Sequence, residues 1–135
     1  MSLTRSGLRF GIIIWALATA VFVPFGHLVF GPDNRLPVGL SASLVIVATF
    51  GGVSLFASGI MRRAESVRFE QGALLGVAAC LPGLILDGAL YAFNAGRYPG
   101  LDDAASGAMC AGLLLAYAAA LLAALNAVRV VRRET

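Results

Sequence analysis

The chain has 135 residues, of which 59% are hydrophobic and 13% charged, and its mean hydropathy is +0.88. Soluble domains are nearer half apolar and a quarter charged, so the composition excludes an ordinary soluble domain and points to a membrane protein. The net charge of +3 is carried entirely by arginine, since the sequence has no lysine.

The first predicted helix covers residues 8–31. Residues 10–32 carry no charge when His27 is neutral, and a membrane-crossing helix needs about 20 apolar residues. Arg5 and Arg9 precede this stretch, and Ala18, Thr19 and Ala20 resemble a signal-peptidase site. The apolar run continues past them to Phe30, so the helix is read as retained, with cleavage as the alternative. Trp15 lies deeper than an interfacial anchor and is expected to pack between helices. Pro24 is expected to kink or loosen this helix.

The second predicted helix covers 38–61, within an uncharged stretch from 36 to 61. Its Ser41, Ser43, Thr49, Ser54 and Ser58 are read as packing groups that bond to carbonyls one turn back. The third covers 70–94, contains Pro82, and within the stretch from 71 to 96 carries one charge, Asp87. The fourth covers 104–128 without a charge, and its run of alanines and leucines from 111 to 122 has no polar face to turn toward water. None of these stretches alternates in polarity as a membrane strand would. The expected fold is therefore an all-α integral membrane four-helix bundle, a single transmembrane domain over 1–135. Short connections lead to the expectation that successive helices are antiparallel neighbours.

The arginines orient the bundle. Arg5, Arg9, Arg62, Arg63, Arg68, Arg129, Arg132 and Arg133 fall on one side, and only Arg35 and Arg97 on the other. The positive-inside rule then places both termini and the middle loop in the cytoplasm. Contact with anionic lipid accounts for the basic balance, and no clustered soluble face points to nucleic acid. Asp33, Asp102 and Asp103 fall in outer turns marked by Pro32, Asn34, Pro99 and Gly100, and are read as solvated. Tyr91, Phe93 and Tyr98 fit an aromatic belt at the outer boundary.

Asp87 asks for an explanation. It sits about 10 Å inside the outer end of the third helix, where an aspartate costs roughly 2.5–3.5 kcal/mol on insertion scales. Gly72, Gly76, Cys80, Gly83, Asp87, Tyr91 and Asn94 follow one another at steps of three or four, so they share one helix face. The face is small at one end and polar at the other. Gly72, Gly76, Cys80 and Gly83 are read as a packing face that lets another helix approach closely. Asp87, His27, Tyr91 and Asn94 form the candidate intramembrane polar site, with His27 as the expected partner of Asp87 and Arg97 within reach from the loop. Two roles stand open: a proton- or cation-responsive site, or a polar clasp that fixes helix register.

No catalytic set, metal-ligand spacing or phosphate loop is visible, so no enzyme activity, metal or cofactor is expected. Cys80 and Cys110 lie in apolar runs at depths differing by roughly 12 Å, too far for a disulfide.

Four stretches carry a family resemblance: Phe10 and Gly11 through to Trp15; Phe25, Gly26 and His27; Pro82 and Gly83 leading to Asp87; and Tyr98 and Pro99 before the fourth helix. On these the chain resembles the small bacterial four-helix membrane proteins catalogued as domain of unknown function 5367. The resemblance spans nearly the whole chain. It implies a bacterial inner-membrane protein and supplies no activity, substrate or catalytic residue. The leading expectation is a non-enzymatic helix bundle acting through association with itself or another membrane component. The alternative is a small oligomeric proton-coupled transporter using Asp87. Small multidrug exporters are comparable in size, but they carry their carboxylate as a glutamate in the first helix, which here has no acid.

Overall fold

The computed structural model describes residues 3–30, 38–64 and 68–134. Four helices make up almost all of it: α1 (Leu3–Phe30), α2 (Val38–Met61), α3 (Phe69–Phe93) and α4 (Asp103–Glu134). Each contains a stretch long and apolar enough to cross a membrane. Arg35 and the turn around Asp33 lie outside the described residues. Helices α1 and α4 run further than their uncharged stretches, to Leu3 and to Glu134. Arginine is a good helix former, so a charge ends an apolar span without ending the helix. Both α1 and α3 continue unbroken through Pro24 and Pro82.

The packing order corrects the expectation from the short links. Helix α1 packs on α3, α2 on α4, and α3 on α4, whereas α1 touches α2 little and α2 touches α3 little. The helices thus form a curled row, α1–α3–α4–α2, and only α3 and α4 are both sequential and closely packed. A short link constrains where a helix starts. Which face it buries is decided by where backbones can approach, and small residues decide that.

The α1–α3 seam shows this. A Cβ on Gly7 would lie 2.7 Å from the Ala78 Cβ, and one on Gly11 would collide with the Ala79 carbonyl oxygen. The two helices run parallel, since Gly7 lies by Leu75 and Ala78 while Gly11 lies by Ala79 and Pro82. On the other side of α3, a Cβ on Gly72 would lie 2.5 Å from Val128, and one on Gly76 would lie 3.0 Å from Ala124, so α4 runs antiparallel. The α2–α4 seam is built from Val53, Ala57 and Met61 against Ala120, Ala123, Ala124, Ala127, Val128 and Val131, all buried.

Two apolar clusters result. One fills the end of the bundle where α2 and α4 finish, with Phe10 packed against it. There Phe10 of α1 stacks on Phe56 of α2, with ring centroids 3.8 Å apart. The other lies at the opposite end and joins Phe30, Tyr98, Leu101, Ala105 and Met109. The outward faces carry large apolar side chains, among them Leu17, Val47, Leu55, Ile85 and Leu114, all exposed.

Glycines with open space beside them supply the control for the close seams, since a Cβ on Gly52 would meet nothing within 4 Å. Gly11→Ala is expected to lower stability by about 1–3 kcal/mol, the usual cost of forcing extra volume into a packed contact. Gly52→Ala is expected to leave it unchanged or raise it. Reversible unfolding of both variants in detergent checks the pair; equal midpoints would mean that α1 and α3 do not approach at Gly11.

Candidate functional site

Asp87 lies between the two clusters. Its carboxylate accepts three hydrogen bonds, all from uncharged aromatic donors. The Trp15 indole Nε1 donates to Oδ1 at 2.9 Å, and the Tyr98 hydroxyl donates to the same oxygen at 2.5 Å. The Tyr117 hydroxyl donates to Oδ2. One donor thus comes from α1, one from the α3–α4 loop and one from α4.

Local sequence explains how each donor arrives. Trp15 stands four residues after Gly11 and eight after Gly7, on the face of α1 that meets α3 closely. Tyr117 crosses α3 at Gly83, where a Cβ would collide with the Tyr117 hydroxyl. Below it, the Cys80 thiol donates to the Tyr117 carbonyl oxygen at 3.8 Å. Tyr98 is delivered by the loop. Its carbonyl accepts from the Leu101 N–H at 3.1 Å, closing a turn with Pro99 second and Gly100 third, and Gly100 has φ +79°. That positive φ at the third position is the type II signature. The Tyr98 N–H donates to Ser106 Oγ at 3.0 Å, which ties the turn to α4.

The loop's other polar residues brace it. Asn94 Nδ2 donates to the Arg97 carbonyl at 3.0 Å. Arg97 pairs with Asp103, with Nε 2.5 Å from Oδ1, and both side chains are exposed. Asp102 Oδ1 caps α4 by accepting from the Ala105 N–H at 2.7 Å. Ala95 at φ 56° and Gly96 at φ 77° turn the chain out of α3, with the Gly96 N–H donating to the Tyr91 carbonyl at 3.0 Å, a Schellman-type ending.

Tyr98 is only 4% exposed. Burial, then the hydrogen bond to Asp87 and the nearby carboxylate charge, push its phenol well above the usual tyrosine range. The hydroxyl therefore keeps its proton and stays a donor across ordinary pH.

The expected partner, His27, does not take that place. It is exposed, and none of the hydrogen bonds to Asp87 comes from it. The error is one of register. Depths reckoned from helix ends put the two residues level, but α1 outruns α3, and its Gly26 lies against Leu101 of the loop. His27 is twelve residues, or about 18 Å, beyond Trp15, which is the α1 residue level with Asp87. Tyr91 and Asn94 are exposed, and neither donates to Asp87 in the described bonds. Tyr98 is likewise corrected from belt residue to buried donor. The small face of α3 is placed against α4: Gly72, Gly76 and Gly83 at the contacts above, Cys80 through its thiol bond, and all four are buried. Cys80 and Cys110 are free thiols.

A cavity of about 150 Å³ lies beside the carboxylate, within the curl of the row. All four helices line it: Trp15, Thr19 and Phe22 from α1, Thr49 from α2, Gly83 and Asp87 from α3, Met109 and Tyr117 from α4. A second hollow of about 260 Å³ lies on the flank of α3 and α4 and shares Asp87, Tyr98, Leu113 and Tyr117 with the first. Among the described residues no group of three histidine, cysteine or acidic side chains gathers that could hold a metal. No protein-family model, curated protein or solved structure matches the chain.

Hydrogen bonds to a charged group contribute about 1.5–3 kcal/mol each, less where the unfolded chain in lipid finds other partners. Tyr117→Phe and Tyr98→Phe are each expected to cost about 1–2 kcal/mol. Each should be strongly non-additive with Asp87→Asn in a double-mutant cycle, whereas His27→Ala with Asp87→Asn should be additive. Additivity for both tyrosine pairs would remove the three-donor clasp from the account.

Proposed function

We propose that the chain is a non-enzymatic, multi-pass protein of a bacterial inner membrane, and that it works by binding at the Asp87 cavity in the manner of a small proton-coupled transporter. The observation that carries this reading is a carboxylate held by three neutral donors on the wall of a cavity that all four helices share. An ionisable group at membrane depth is costly to keep, and such groups mark ion and substrate pathways. The exposed apolar flanks of the helices support immersion in lipid, because a soluble bundle would turn polar faces outward. Eight of the ten arginines belong to the end of the bundle where α1 and α3 begin and α2 and α4 finish, which supports cytoplasmic termini. The likeness to the bacterial four-helix family of unknown function agrees with this location and adds no activity.

The glycine faces bear on the rival reading, association with a copy or another membrane component. Gly7, Gly11, Gly72, Gly76 and Gly83 are already covered by the chain's own helices. What favours association is α2, where Gly51, Gly52 and Gly59 have open space beside them. The two readings combine if the transporter is oligomeric.

Trp15 is the single tryptophan and donates to Asp87, so its emission reports on the carboxylate. The titratable groups facing Asp87, namely Tyr98, Tyr117 and Cys110, are neutral from acid to neutral pH. Acidifying the detergent-solubilised protein is expected to shift Trp15 emission reversibly, and Asp87→Asn is expected to insert, fold and show a flat response. An identical acid response in both proteins would end the proton-binding role. Separately, a reporter fused after Thr135 should be active only in its cytoplasm-dependent form; activity on the outer side would reverse the orientation.

A further inference from the structure

We infer that the Asp87 cavity is a binding site for a small aromatic amine in its protonated form: one ring lodged in the cavity and one ammonium N–H bonded to Asp87 Oδ2. This rests on the reading of Asp87 as the working site and names the ligand class for it.

The first argument is the acceptor inventory. A carboxylate offers about four lone-pair positions. On Oδ1 both are taken, by Trp15 and Tyr98. On Oδ2 one is taken, by Tyr117. One acceptor position remains, which suits a single N–H donor rather than a guanidinium fork that needs both oxygens.

The second is charge. Indole and phenol donors stabilise an ionised carboxylate without cancelling its charge. The exposed Arg97, the basic residue of the adjacent loop, is turned to Asp103 instead. A charge on this carboxylate would have no positive partner among its described contacts, inside mostly apolar walls, and in such a medium a monovalent cation is favoured.

The third is the wall. The rings of Trp15, Phe22, Tyr98 and Tyr117 line the cavity, and aromatic faces attract ammonium groups by their quadrupole. Thr19 and Thr49 are the other polar side chains in the lining. A metal ion stripped of its water would find too few oxygen ligands here, whereas an organic cation carries its own apolar surface.

The fourth is size and access. The cavity measures about 150 Å³, a volume known in another protein to hold one benzene molecule. A single ring fits that volume. The curled row leaves its seam between α1 and α2, which touch little beyond the Phe10–Phe56 stack. Ile14 and Val23 line the cavity and are also exposed, so the entrance is apolar and suits a ligand that partitions into lipid.

The test uses the full chain in detergent micelles, with Trp15 emission as the readout and two probes of matched shape. Benzylammonium carries the charge; ethylbenzene replaces its ammonium by a methyl group. Benzylammonium is expected to change the emission saturably, with apparent affinity at least tenfold higher than ethylbenzene. Asp87→Asn should erase that preference. Thr49→Leu, which fills the cavity from α2 and leaves the carboxylate in place, should weaken benzylammonium at least tenfold, and it keeps the test decisive should Asp87→Asn fold poorly. Ethylbenzene binding as well as benzylammonium to the native protein, or Thr49→Leu binding benzylammonium undiminished, overturns the assignment. An Asp87-dependent acid response with no benzylammonium binding overturns this ligand class alone; loss of both overturns the site reading as well.

Discussion

A carboxylate inside an apolar helix is the constraint from which the rest of this bundle follows. In a bilayer, burying Asp87 would cost roughly 2.5–3.5 kcal/mol on insertion scales, and three hydrogen bonds to a charged acceptor, at about 1.5–3 kcal/mol each, would offset that. Those bonds need three segments to converge on one point of α3. Trp15 arrives only because Gly7 and Gly11 let α1 lie directly on the α3 backbone. Tyr117 arrives only because Gly83 leaves room for its ring. Tyr98 arrives because a proline–glycine turn, tied to Ser106, folds the loop inward. The seams α1–α3 and α3–α4 therefore carry the close glycine contacts, and the α1–α2 seam, which serves no donor, is the open one.

The helices were legible in the sequence because charge spacing in a chain this apolar leaves few other readings. The importance of Asp87 was legible for the same reason, since one charge in a long apolar stretch stands out. The small face of α3 was visible as a run of three- and four-residue steps. The partners were harder, and His27 shows why. It is the chemically obvious companion of an aspartate, and counting from helix ends made the depths agree. Register between helices, however, is set by where backbones meet, and one helix end carries no information about another. Gly7, Gly11 and Trp15 share one face of α1 at four-residue steps, but the steps alone do not set the offset from α3: Gly7 lies by Leu75 and Ala78, and Gly11 by Ala79 and Pro82. Tyr98 carried no comparable signal, because whether a tyrosine beside a turn faces the lipid boundary or the core depends on backbone angles that the residue names alone do not give.

The row order has consequences for oligomerisation. Glycines that would ordinarily advertise a helix-association surface are consumed inside the chain, so glycine content alone overstates the exposed small-residue surface. What stays open is α2, which buries one side against α4 and leaves Gly52 and the 79% exposed Leu55 outward. The same helix forms one bank of the α1–α2 seam. A neighbour docked on α2 would thus stand beside the cavity entrance, and assembly and access would be coupled through one helix.

Clasp and site are not competing descriptions of Asp87. Had arginine or lysine been the partner, charge and hydrogen-bonding capacity would both be used up, and the group would be structural only. Neutral donors act differently. They lower the cost of keeping the carboxylate ionised, fix its orientation, and leave its charge and one lone pair to be answered from outside. Trp15 and Tyr98 on Oδ1 and Tyr117 on Oδ2 come from three different segments, so any group that draws on the fourth position pulls on all three contacts at once. A proton or a cation arriving at Oδ2 weakens the acceptor strength that holds α1, the loop and α4 together. Occupancy of the cavity would thereby be transmitted to helix packing through the same bonds that stabilise the fold.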